Sequence, residues 1–301
     1  MSRWQAQAVL IVNPFATGVD EHRIALVERA LGRNAEVTTF LTERPGHATE
    51  LAREAAEYAD AIFVYSGDGG FNEALNGLGP EAPPLGCIPG GGTSVMPRAL
   101  GLPRDPVEAA ERLAEAFERG RTRTISLGRA NGRRFGFNAG IGFDAELVRR
   151  IEANRSRAGR PGDAAFVATV LRLLVENRGR FRPALEIEGL GRAAFAFVGN
   201  TDPHTFVGSV PLHVAPEATF EGGLDLIAPR SIRPVDVPRI VKYIATGRGQ
   251  LDDPRILVLH DVDRIAIRCD RPLPLQVDGE DLGDVTQASF ECERAAVRVL
   301  V

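Results

Sequence analysis

The stretch AIFVYSGDGGF (residues 61–71) decides the fold, because an apolar, strand-like run ends in a glycine-rich loop that encloses one carboxylate and leads into a helix-like run. Glycine permits positive φ angles and close approach of the backbone, so successive amides of such a loop can form a nest for an anion. The start of the following helix adds partial positive charge. Asp68 would then meet a bound polyphosphate through Mg²⁺, with Ser66, Gly67 and Gly69 beside it. The stretch therefore predicts a nucleotide-binding loop at one edge of a sheet.

A second glycine-rich turn, PGGGTS (residues 89–94), follows another short strand-like run at residues 85–88. One such turn alone is most simply an ordinary connection between a strand and a helix. Two turns, one of which carries an acidic residue, favour phosphate binding. Gly91, Gly92 and Thr93 therefore join the candidate nucleotide-binding residues.

Strand-like and helix-like runs alternate through the first part of the chain. The strand-like runs are residues 8–12, 35–41, 61–65 and 85–88, and the helix-like runs are residues 21–31 and 48–59. This alternation is typical of a parallel, doubly wound α/β sheet of the Rossmann type. Because ligands of such sheets bind beyond the carboxyl ends of the strands, we expect Asn13, Pro14 and Thr42 near the two glycine loops.

A second domain with a different pattern follows. Asp105 and Pro106 are typical of a helix start, and Gly120 is typical of a helix end. Short strand-like runs separated by turns come next, at residues 124–127, 134–138, 184–187, 193–198, 224–228, 264–269 and 273–277. They predict a β-rich sandwich domain at residues 123–293, interrupted by a helical insert at residues 144–177.

Composition excludes several classes of protein. The 301 residues include 44% hydrophobic and 25% charged residues, which describes a globular protein large enough for two domains. A formal net charge of −4 argues against a nucleic-acid binder that depends on a global positive field. Three widely spaced cysteines do not form a disulfide framework or a zinc motif, and neither a signal peptide nor a membrane span is recognisable. We therefore expect a cytoplasmic protein.

Lys242 is the only lysine among 36 basic residues. A Walker loop needs a lysine directly after its glycines, and a protein kinase needs one on an early strand, whereas Lys242 lies in a helix-like stretch far from both glycine loops. Phosphate charge must therefore be neutralised by backbone amides, by a metal ion and by arginine.

With these motifs in place, the chain resembles the diacylglycerol kinase catalytic-domain family of bacterial lipid kinases, which is related to sphingosine kinases and more distantly to NAD kinases. The matching stretches are residues 9–14, 42 with 46–48, 67–69 with 72–73 and 76–77, 89–93 with 98–103, 138–145, 199–200, 216 with 222–225, and 277–280. Asn72 and Glu73 thereby join the nucleotide-binding candidates. The resemblance implies that ATP binds in a cleft between the two domains. It also implies that a last strand returns to the first domain, which then comprises residues 1–122 and 294–301.

The resemblance also assigns roles in the second domain. It implies that Asp278 is the general base, with Glu280 as a weaker candidate for that role. Without the family context, Asp278 followed by Gly279 is typical of a hairpin turn. Glu221 stands where the family has an aspartate that binds a structural metal together with backbone carbonyls, and an ordinary turn carboxylate is the alternative.

Three departures from the family pattern concern the glycine loops. Gly70 replaces the usual threonine after Gly-Gly-Asp-Gly, which removes a hydroxyl group from the loop. Ser94 and Val95 stand where the family commonly has asparagine followed by aspartate. Met96 and Pro97 replace an aromatic residue and alanine. These changes put full catalytic efficiency in question.

Two further groups of residues have weaker signals. The histidines at positions 47, 204, 213 and 260 have no catalytic or metal-ligand spacing, so structural or solvated side chains are favoured. The basic cluster around the helical insert consists of Arg149, Arg150, Arg155, Arg157 and Arg160. It is either a solvated surface or a contact with an anionic membrane.

Together these patterns predict an ATP- and Mg²⁺-dependent kinase that phosphorylates a hydroxyl of a diacylglycerol-like lipid. The partner is then a lipid substrate at a membrane surface, reached by peripheral contact at the inner membrane face. A nucleic-acid partner is not expected, and a homodimer is left open. The alternatives are a kinase for sphingoid bases or other lipid alcohols, and a weakened homologue that binds nucleotide or lipid for regulation.

Overall fold

A computed structural model describes residues 6–33, 35–153 and 163–301 of the chain. The chain forms two compact units, of which the first ends at Ile125 and also includes Ala295–Val301, and the second is Ser126–Arg294. The sequence places the corresponding boundaries after residues 122 and 293. The predicted combination of an α/β unit and a β-rich unit is confirmed.

The first unit is a parallel sheet with helices packed on it. Its elements are β1 (Ala6–Val12), α1 (Glu21–Leu31), β2 (Ala35–Leu41), α2 (His47–Ala55), β3 (Ala61–Ser66), α3 (Asp68–Gly77), β4 (Leu85–Pro89), α4 (Val95–Ala99) and α5 (Pro106–Glu118). The strand order is β2-β1-β3-β4, and Val299, near the end of the chain, pairs in parallel with Leu85. Helix α1 packs with α5, and α2 packs with α3. Right-handed crossovers place these two pairs on opposite faces of the sheet.

Local sequence explains most of these elements. Every residue of β3 is buried, as expected for a central strand covered on both faces. The Asp105 carboxylate caps α5, because its Oδ1 accepts from the backbone N–H groups of Val107 and Glu108 at 2.9 and 3.0 Å. Helix α2 ends at Ala55 rather than at residue 59, since the chain turns there to enter β3 and the Asp60 N–H bonds to the Gln7 carbonyl at 2.7 Å.

The second unit is mainly antiparallel. Its strands are β5 (Thr122–Ala130), β6 (Arg133–Phe135), β7 (Asn138–Ile141), β8 (Leu185–Ile187), β9 (Gly191–Ala193), β10 (Ala196–Gly199), β11 (Thr205–Val207), β12 (Val210–Leu212), β13 (Leu224–Pro229), β14 (Ile256–Val262), β15 (Arg264–Val277) and β16 (Glu280–Leu300), of which β5 begins and β16 ends in the first unit. Its helices are α6 (Phe143–Ala153), α7 (Asp163–Glu176), a 3-10 turn (Pro234–Asp236) and α8 (Val237–Thr246). Along β15 the neighbouring strand changes from β8 to β7.

The strand pattern of this unit differs from the sequence prediction in several places. The runs predicted at residues 264–269 and 273–277 join into β15, which has a register shift between Arg268 and Leu273. Strands β11, β12 and β14 and most of β16 have no counterpart in the prediction. The run predicted at residues 134–138 divides into β6 and β7, because the intervening amides bond to a side chain rather than to a neighbouring strand.

A tight turn joins β15 to β16. Val277 pairs with Glu280, and the two intervening residues, Asp278 and Gly279, have φ angles of 45° and 80°. Two left-handed residues in succession are typical of the type I′ hairpin turn. The turn therefore has the conformation that its sequence predicts.

None of the helices within the described parts of the chain has the length and apolar character needed to cross a bilayer.

Candidate functional site

Three loops of the first unit meet at one edge of its sheet. A Cβ atom placed on Gly91 would lie only 2.9 Å from the Cα of Gly67, so the loops after β3 and β4 touch backbone to backbone. The N–H of Gly18, in the loop after β1, donates to the Gly90 carbonyl at 2.8 Å. Glycine is required where backbones approach this closely. The two predicted glycine loops are therefore brought side by side.

Asp68 lies where these loops meet. It is the first residue of α3 and is 8% exposed, and its Oδ1 accepts from the backbone N–H of Met96 at 3.3 Å. Mg²⁺ in phosphate sites is typically held by one or two carboxylates, substrate phosphates and water. A single buried carboxylate between two glycine loops fits that chemistry.

Gly69 and Gly92 border open space. A Cβ atom on either glycine would meet nothing within 4 Å, whereas Gly67 and Gly91 are closely packed. At the start of α3 the N–H groups of Gly70 and Phe71 donate to the Gly67 carbonyl at 3.0 and 3.3 Å, and the partial positive charge of a helix start can attract an anion there. This edge of the sheet therefore offers space and donors for phosphate groups, with Thr93 in the same loop as Gly92.

The other predicted residues at this edge follow β1 and β2. Asn13 Oδ1 accepts from the N–H of Phe15 at 3.0 Å and shapes the turn after β1, in which Pro14 is exposed. Thr42 is buried, and its N–H extends the β1–β2 pairing by donating to the Val12 carbonyl at 2.8 Å. Both follow the carboxyl ends of their strands, as expected.

Asn72 and Glu73 make contacts that stabilise helices. Glu73 Oε2 accepts from the N–H of Ala48 at 3.2 Å, and the Glu73 carbonyl accepts from Thr49 Oγ1 at 2.7 Å, so Glu73 fixes the start of α2 against α3. Asn72 is buried, and its carbonyl accepts from Asn76 Nδ2 at 2.8 Å. Nucleotide binding by these two residues stays a prediction.

In the second unit, the Asp278 carboxylate is bound by backbone amides. It accepts from the N–H groups of Gly136, Phe137 and Asn138 at 2.6, 3.0 and 3.0 Å and is 6% exposed. Three such bonds stabilise the charged form and fix the loop between β6 and β7. Asp278 therefore has a clear structural role, and its role as general base stays a prediction.

A polar network connected to this loop contains a second buried carboxylate. Gln276 Nε2 donates to Asp144 Oδ2 at 2.5 Å and to Asn138 Oδ1 at 3.0 Å, and Asp144 is 5% exposed. His204 Nε2 lies 3.6 Å from Asp144 Oδ1, and the His204 carbonyl accepts from Asn138 Nδ2. Sequence reasoning did not select Asp144, although it lies in the motif at residues 138–145.

Glu280 and Glu221 lie outside this network of contacts. Glu280 is exposed and forms an ion pair with Arg133 at 2.8 Å. Glu221 is also exposed, and the neighbouring Gly223 packs against the guanidinium of Arg294, since a Cβ atom there would lie 2.8 Å from Nη2. The nearby Asp261 carboxylate pairs with the same guanidinium at 3.0 Å. The Arg294 guanidinium therefore neutralises Asp261 near this turn, and metal binding by Glu221 stays a prediction.

The histidines of the second unit pair with carboxylates. His213 Nδ1 lies 2.5 Å from Asp202 Oδ2, and burial raises the pKa of Asp202. His260 Nδ1 lies 3.0 Å from both Asp225 oxygens, and this hydrogen bond raises the pKa of His260. These pairs fit the predicted structural roles of the histidines.

Comparison with known protein families divides the chain as the structure does. Residues 7–130 match the family model described as the diacylglycerol kinase catalytic domain. Residues 138–301 match the family model described as the YegS C-terminal NAD kinase beta sandwich-like domain. Together the two matches cover nearly all of the chain.

Individual relatives agree with these matches. A diacylglycerol kinase of Bacillus subtilis (strain 168) is 26% identical over 276 residues, which are 86% of this chain and 84% of the relative. A diacylglycerol kinase of Staphylococcus saprophyticus is 36% identical over 103 residues, which are 33% of this chain and 32% of the relative. The crystal structure of a diacylglycerol kinase from Bacillus anthracis str. Sterne has the same fold, with a TM-score of 0.73 at 22% identity, covering 99% of this chain and 98% of that one.

Proposed function

The chain belongs to the diacylglycerol kinase catalytic-domain family, and from this premise we propose that it transfers the γ-phosphate of ATP to a hydroxyl of a diacylglycerol-like lipid. The observation that carries the proposal is the position of Asp68 between two touching glycine loops at the start of α3. Phosphoryl transfer depends mainly on positioning and on neutralising phosphate charge. The loops supply amides for both purposes without a lysine.

Asp68 is the residue proposed to hold Mg²⁺. A bound Mg²⁺ would neutralise phosphate charge during transfer. The Met96 N–H bond orients the carboxylate, and Gly69 and Gly92 leave the adjacent space open. Asn13, Pro14, Thr42 and Thr93 are proposed to border the nucleotide from the neighbouring strand ends.

Two carboxylates are candidates for the general base that accepts the proton of the lipid hydroxyl. Asp278 is the one implied by the family resemblance, but its oxygens accept three backbone N–H groups. Asp144 instead contacts two side chains, Gln276 and His204, which can rearrange when a substrate binds. We propose that Asp144 accepts the proton and that Asp278 positions the β6–β7 loop.

Two alternatives to a diacylglycerol acceptor follow from the sequence. A sphingoid base or another lipid alcohol requires the same chemistry of the nucleotide site. A weakened regulatory homologue is suggested by the departures at Gly70, Ser94 and Val95, yet Ser94 Oγ still donates to the Gly91 carbonyl at 3.0 Å and closes the second glycine loop. The geometry of the loop thus favours an active enzyme.

The test is transfer of labelled phosphate from ATP to a panel of lipids in mixed micelles. The panel contains diacylglycerol, a sphingoid base and a monoacyl alcohol, with NAD and a lipid-free sample as controls. We expect magnesium-dependent labelling of diacylglycerol above all others. Labelling of the sphingoid base alone would select the first alternative, and Mg-ATP binding without transfer to any lipid would select the regulatory homologue.

A lipid acceptor requires contact with a membrane surface, and two members of the predicted basic cluster at residues 149–160 are paired with acidic side chains. Arg149 forms ion pairs with Asp281 and Asp284, both at 2.7 Å, which raise the pKa of Arg149. Arg150 pairs with Glu146 and Glu176. The remaining members, Arg155, Arg157 and Arg160, lie outside the described residues.

We propose that the membrane contact includes the end of α7. Leu171 and Val175, one helical turn apart, are 56% and 75% exposed. The segment that follows carries the exposed Arg178, Arg180 and Arg182, whose side chains form no ion pair within the described residues. Exposed apolar side chains beside uncompensated arginines match the interface of an anionic bilayer.

A further inference from the structure

Helix α8 carries apolar side chains on the face that points to solvent. Pro238, Val241 and Ala245 are all exposed, and their spacing of three and four residues places them on one side of the helix. Val235, in the 3-10 turn that leads into α8, is exposed as well, and the exposed fractions of Val235 and Val241 are 74% and 58%. A surface helix of a globular domain usually turns its polar side chains outward. The outer face of α8 has the opposite character.

The polar contacts of α8 lie on its inner side. Arg239 forms ion pairs with Asp236 at 3.2 Å and with Asp253 at 3.0 Å, and both carboxylates are buried. The Tyr243 hydroxyl donates to Asp253 Oδ2 at 3.3 Å. These contacts fix the rotation of the helix about its axis. The apolar face therefore stays directed to solvent.

The outer surface of α8 is also basic. Lys242 lies one helical turn after Pro238, and Arg248 follows the end of the helix; both are exposed and form no ion pair in the parts of the chain that the structure describes. Asp236 is the only acidic residue from 231 to 250, and it is already paired with Arg239. Exposed apolar side chains flanked by uncompensated cations match the headgroup region of an anionic bilayer. A second copy of the chain fits less well, because a two-fold contact through this face would bring like charges together.

This surface adjoins the segment that follows α7. Phe181, in that segment, exchanges two backbone hydrogen bonds with Ile232, both at 2.9 Å. A Cβ atom placed on Gly179 would lie 3.2 Å from the ring of Pro234, the first residue of the 3-10 turn. The exposed face of α8 is therefore continuous with the arginines at the end of α7.

We propose that α8 is a second membrane-contacting element, whose outer face enters the headgroup region of an anionic bilayer. This contact rests on the proposed function, because a bilayer is where a diacylglycerol-like acceptor is found. Val235 and Val241 insert among the lipids, while Lys242 and Arg248 lie at lipid phosphates. Contacts at α7 and at α8 together hold the second unit in one orientation on the membrane, which a contact at α7 alone does not.

Lys242 gives a direct test on the unaltered protein, because it is the only lysine of the chain. The chain is acetylated with a limiting amount of an amine-reactive reagent in the presence of vesicles of phosphatidylcholine and phosphatidylglycerol, which contain no amines that react. Mass spectrometry measures modification of Lys242. We expect it to be several-fold slower than with vesicles of phosphatidylcholine alone. Equal modification with both kinds of vesicle, under conditions in which the chain co-sediments with the anionic ones, would overturn the proposal.

Two double variants separate the apolar and the electrostatic parts of the contact. Val235→Ser/Val241→Ser should weaken binding to the anionic vesicles roughly tenfold or more at any salt concentration, since apolar contacts are not screened. Lys242→Gln/Arg248→Gln should weaken binding roughly 30-fold at low salt and much less at high salt. Val210→Ser, at a valine of the second unit that is 53% exposed, is the matched control and should bind like the wild type. Thermal unfolding checks that each variant is folded.

Wild-type binding by the folded serine variant, or a wild-type chain that binds neither kind of vesicle, would overturn the α8 contact. A wild-type dimer that the serine variant abolishes, with vesicles leaving Lys242 labelling unchanged, would assign this face to a second copy instead. Absence of phosphate transfer to any lipid, with Lys242 still shielded by anionic vesicles, would contradict the proposed function alone. Loss of the α8 contact, conversely, leaves Mg-ATP binding and transfer to lipids in mixed micelles as separate measurements of that function.

Discussion

Asp68 combines two roles that a substitution can separate. Its Oδ1 accepts a hydrogen bond from the Met96 N–H, and the side-chain carbonyl of asparagine can accept the same bond. Binding of Mg²⁺, in contrast, needs the negative charge of the carboxylate, which asparagine lacks. Asp68→Asn should therefore keep its fold but lose the magnesium-dependent part of its ATP affinity. Calorimetry with and without Mg²⁺ measures this difference. Asp105→Asn is the matched control, because asparagine also caps α5 well.

If Asp68→Asn and the wild type bind Mg-ATP equally, Asp68 does not belong to the phosphate site.

Replacing each candidate base by asparagine should affect the fold differently. Asp278→Asn places an NH₂ group among three N–H donors, so we expect lower Tm together with lower turnover. Asp144→Asn can keep the bond from Gln276, so its Tm should stay close to the wild type. Its kcat should fall about 10²-fold or more, the range for loss of a general base.

Thermal unfolding and single-turnover kinetics on both variants separate these outcomes. Full stability with lost turnover in Asp278→Asn would support the role that the family resemblance implies. Normal turnover in Asp144→Asn would exclude Asp144 as the base.

The contrast between Asp68 and Asp278 shows what the sequence reveals at this scale. Asp68 is surrounded by glycines within a few residues of it and by a second glycine loop, so the sequence pattern of the site is local and can be recognised without the structure. The amides that bind Asp278 lie 140 to 142 residues away in the chain. No spacing rule connects them, and the same holds for the contact between Asp144 and Gln276.

At the scale of elements, prediction was most successful where burial pattern and end signals agree. Helix α5 has a capping aspartate, a proline at its first position and a glycine after its end, and it spans nearly the predicted residues. Most of strand β16 has no counterpart in the prediction, because most residues from 280 to 295 are polar and half of them are exposed. Pairing with β15, rather than local pattern, makes that stretch a strand.

The sequence predicts α7 as part of a helical insert. It does not predict that one apolar face of this helix is exposed to solvent. Val167, Leu171 and Val175 recur every four residues and so lie on one face of the helix. The sequence around them is apolar on nearly all sides, so it could not indicate which face points to solvent. Only the packing of α7 against α6 makes that distinction.

This element carries the prediction for membrane binding. Each basic residue near an anionic surface contributes about 1 kcal/mol, so replacing Arg178, Arg180 and Arg182 by glutamine should weaken binding to vesicles that contain phosphatidylglycerol by roughly 100-fold. Co-sedimentation at low salt measures the effect. A control variant with glutamine at the exposed Arg53, Arg268 and Arg271 has the same change of net charge.

Equal loss of binding in the two triple variants would indicate a nonspecific effect of charge, and retained binding in the first would place the contact elsewhere.

At the scale of the whole molecule, charge is distributed locally rather than globally. The formal net charge is −4, so the protein as a whole is not attracted to an anionic membrane. Fields of exposed charges are screened within about 8 Å at physiological salt. Binding to a membrane must therefore come from a small surface where arginines are not paired with acidic side chains. Within the described residues, Arg178, Arg180 and Arg182, which follow α7, form no ion pair.

The two units should consequently respond to different ligands, which hydrogen exchange can map along the chain. Mg-ATP should slow exchange in the loops of the first unit, around residues 13–18, 66–71 and 90–95, because bound phosphates occupy amides there. Anionic vesicles should slow exchange in the second unit around residues 171–182, with neutral vesicles as the control. Protection by Mg-ATP that is confined to residues outside the three loops would contradict the nucleotide site. Vesicle protection in the first unit alone would contradict the membrane contact, even if the nucleotide site were correct.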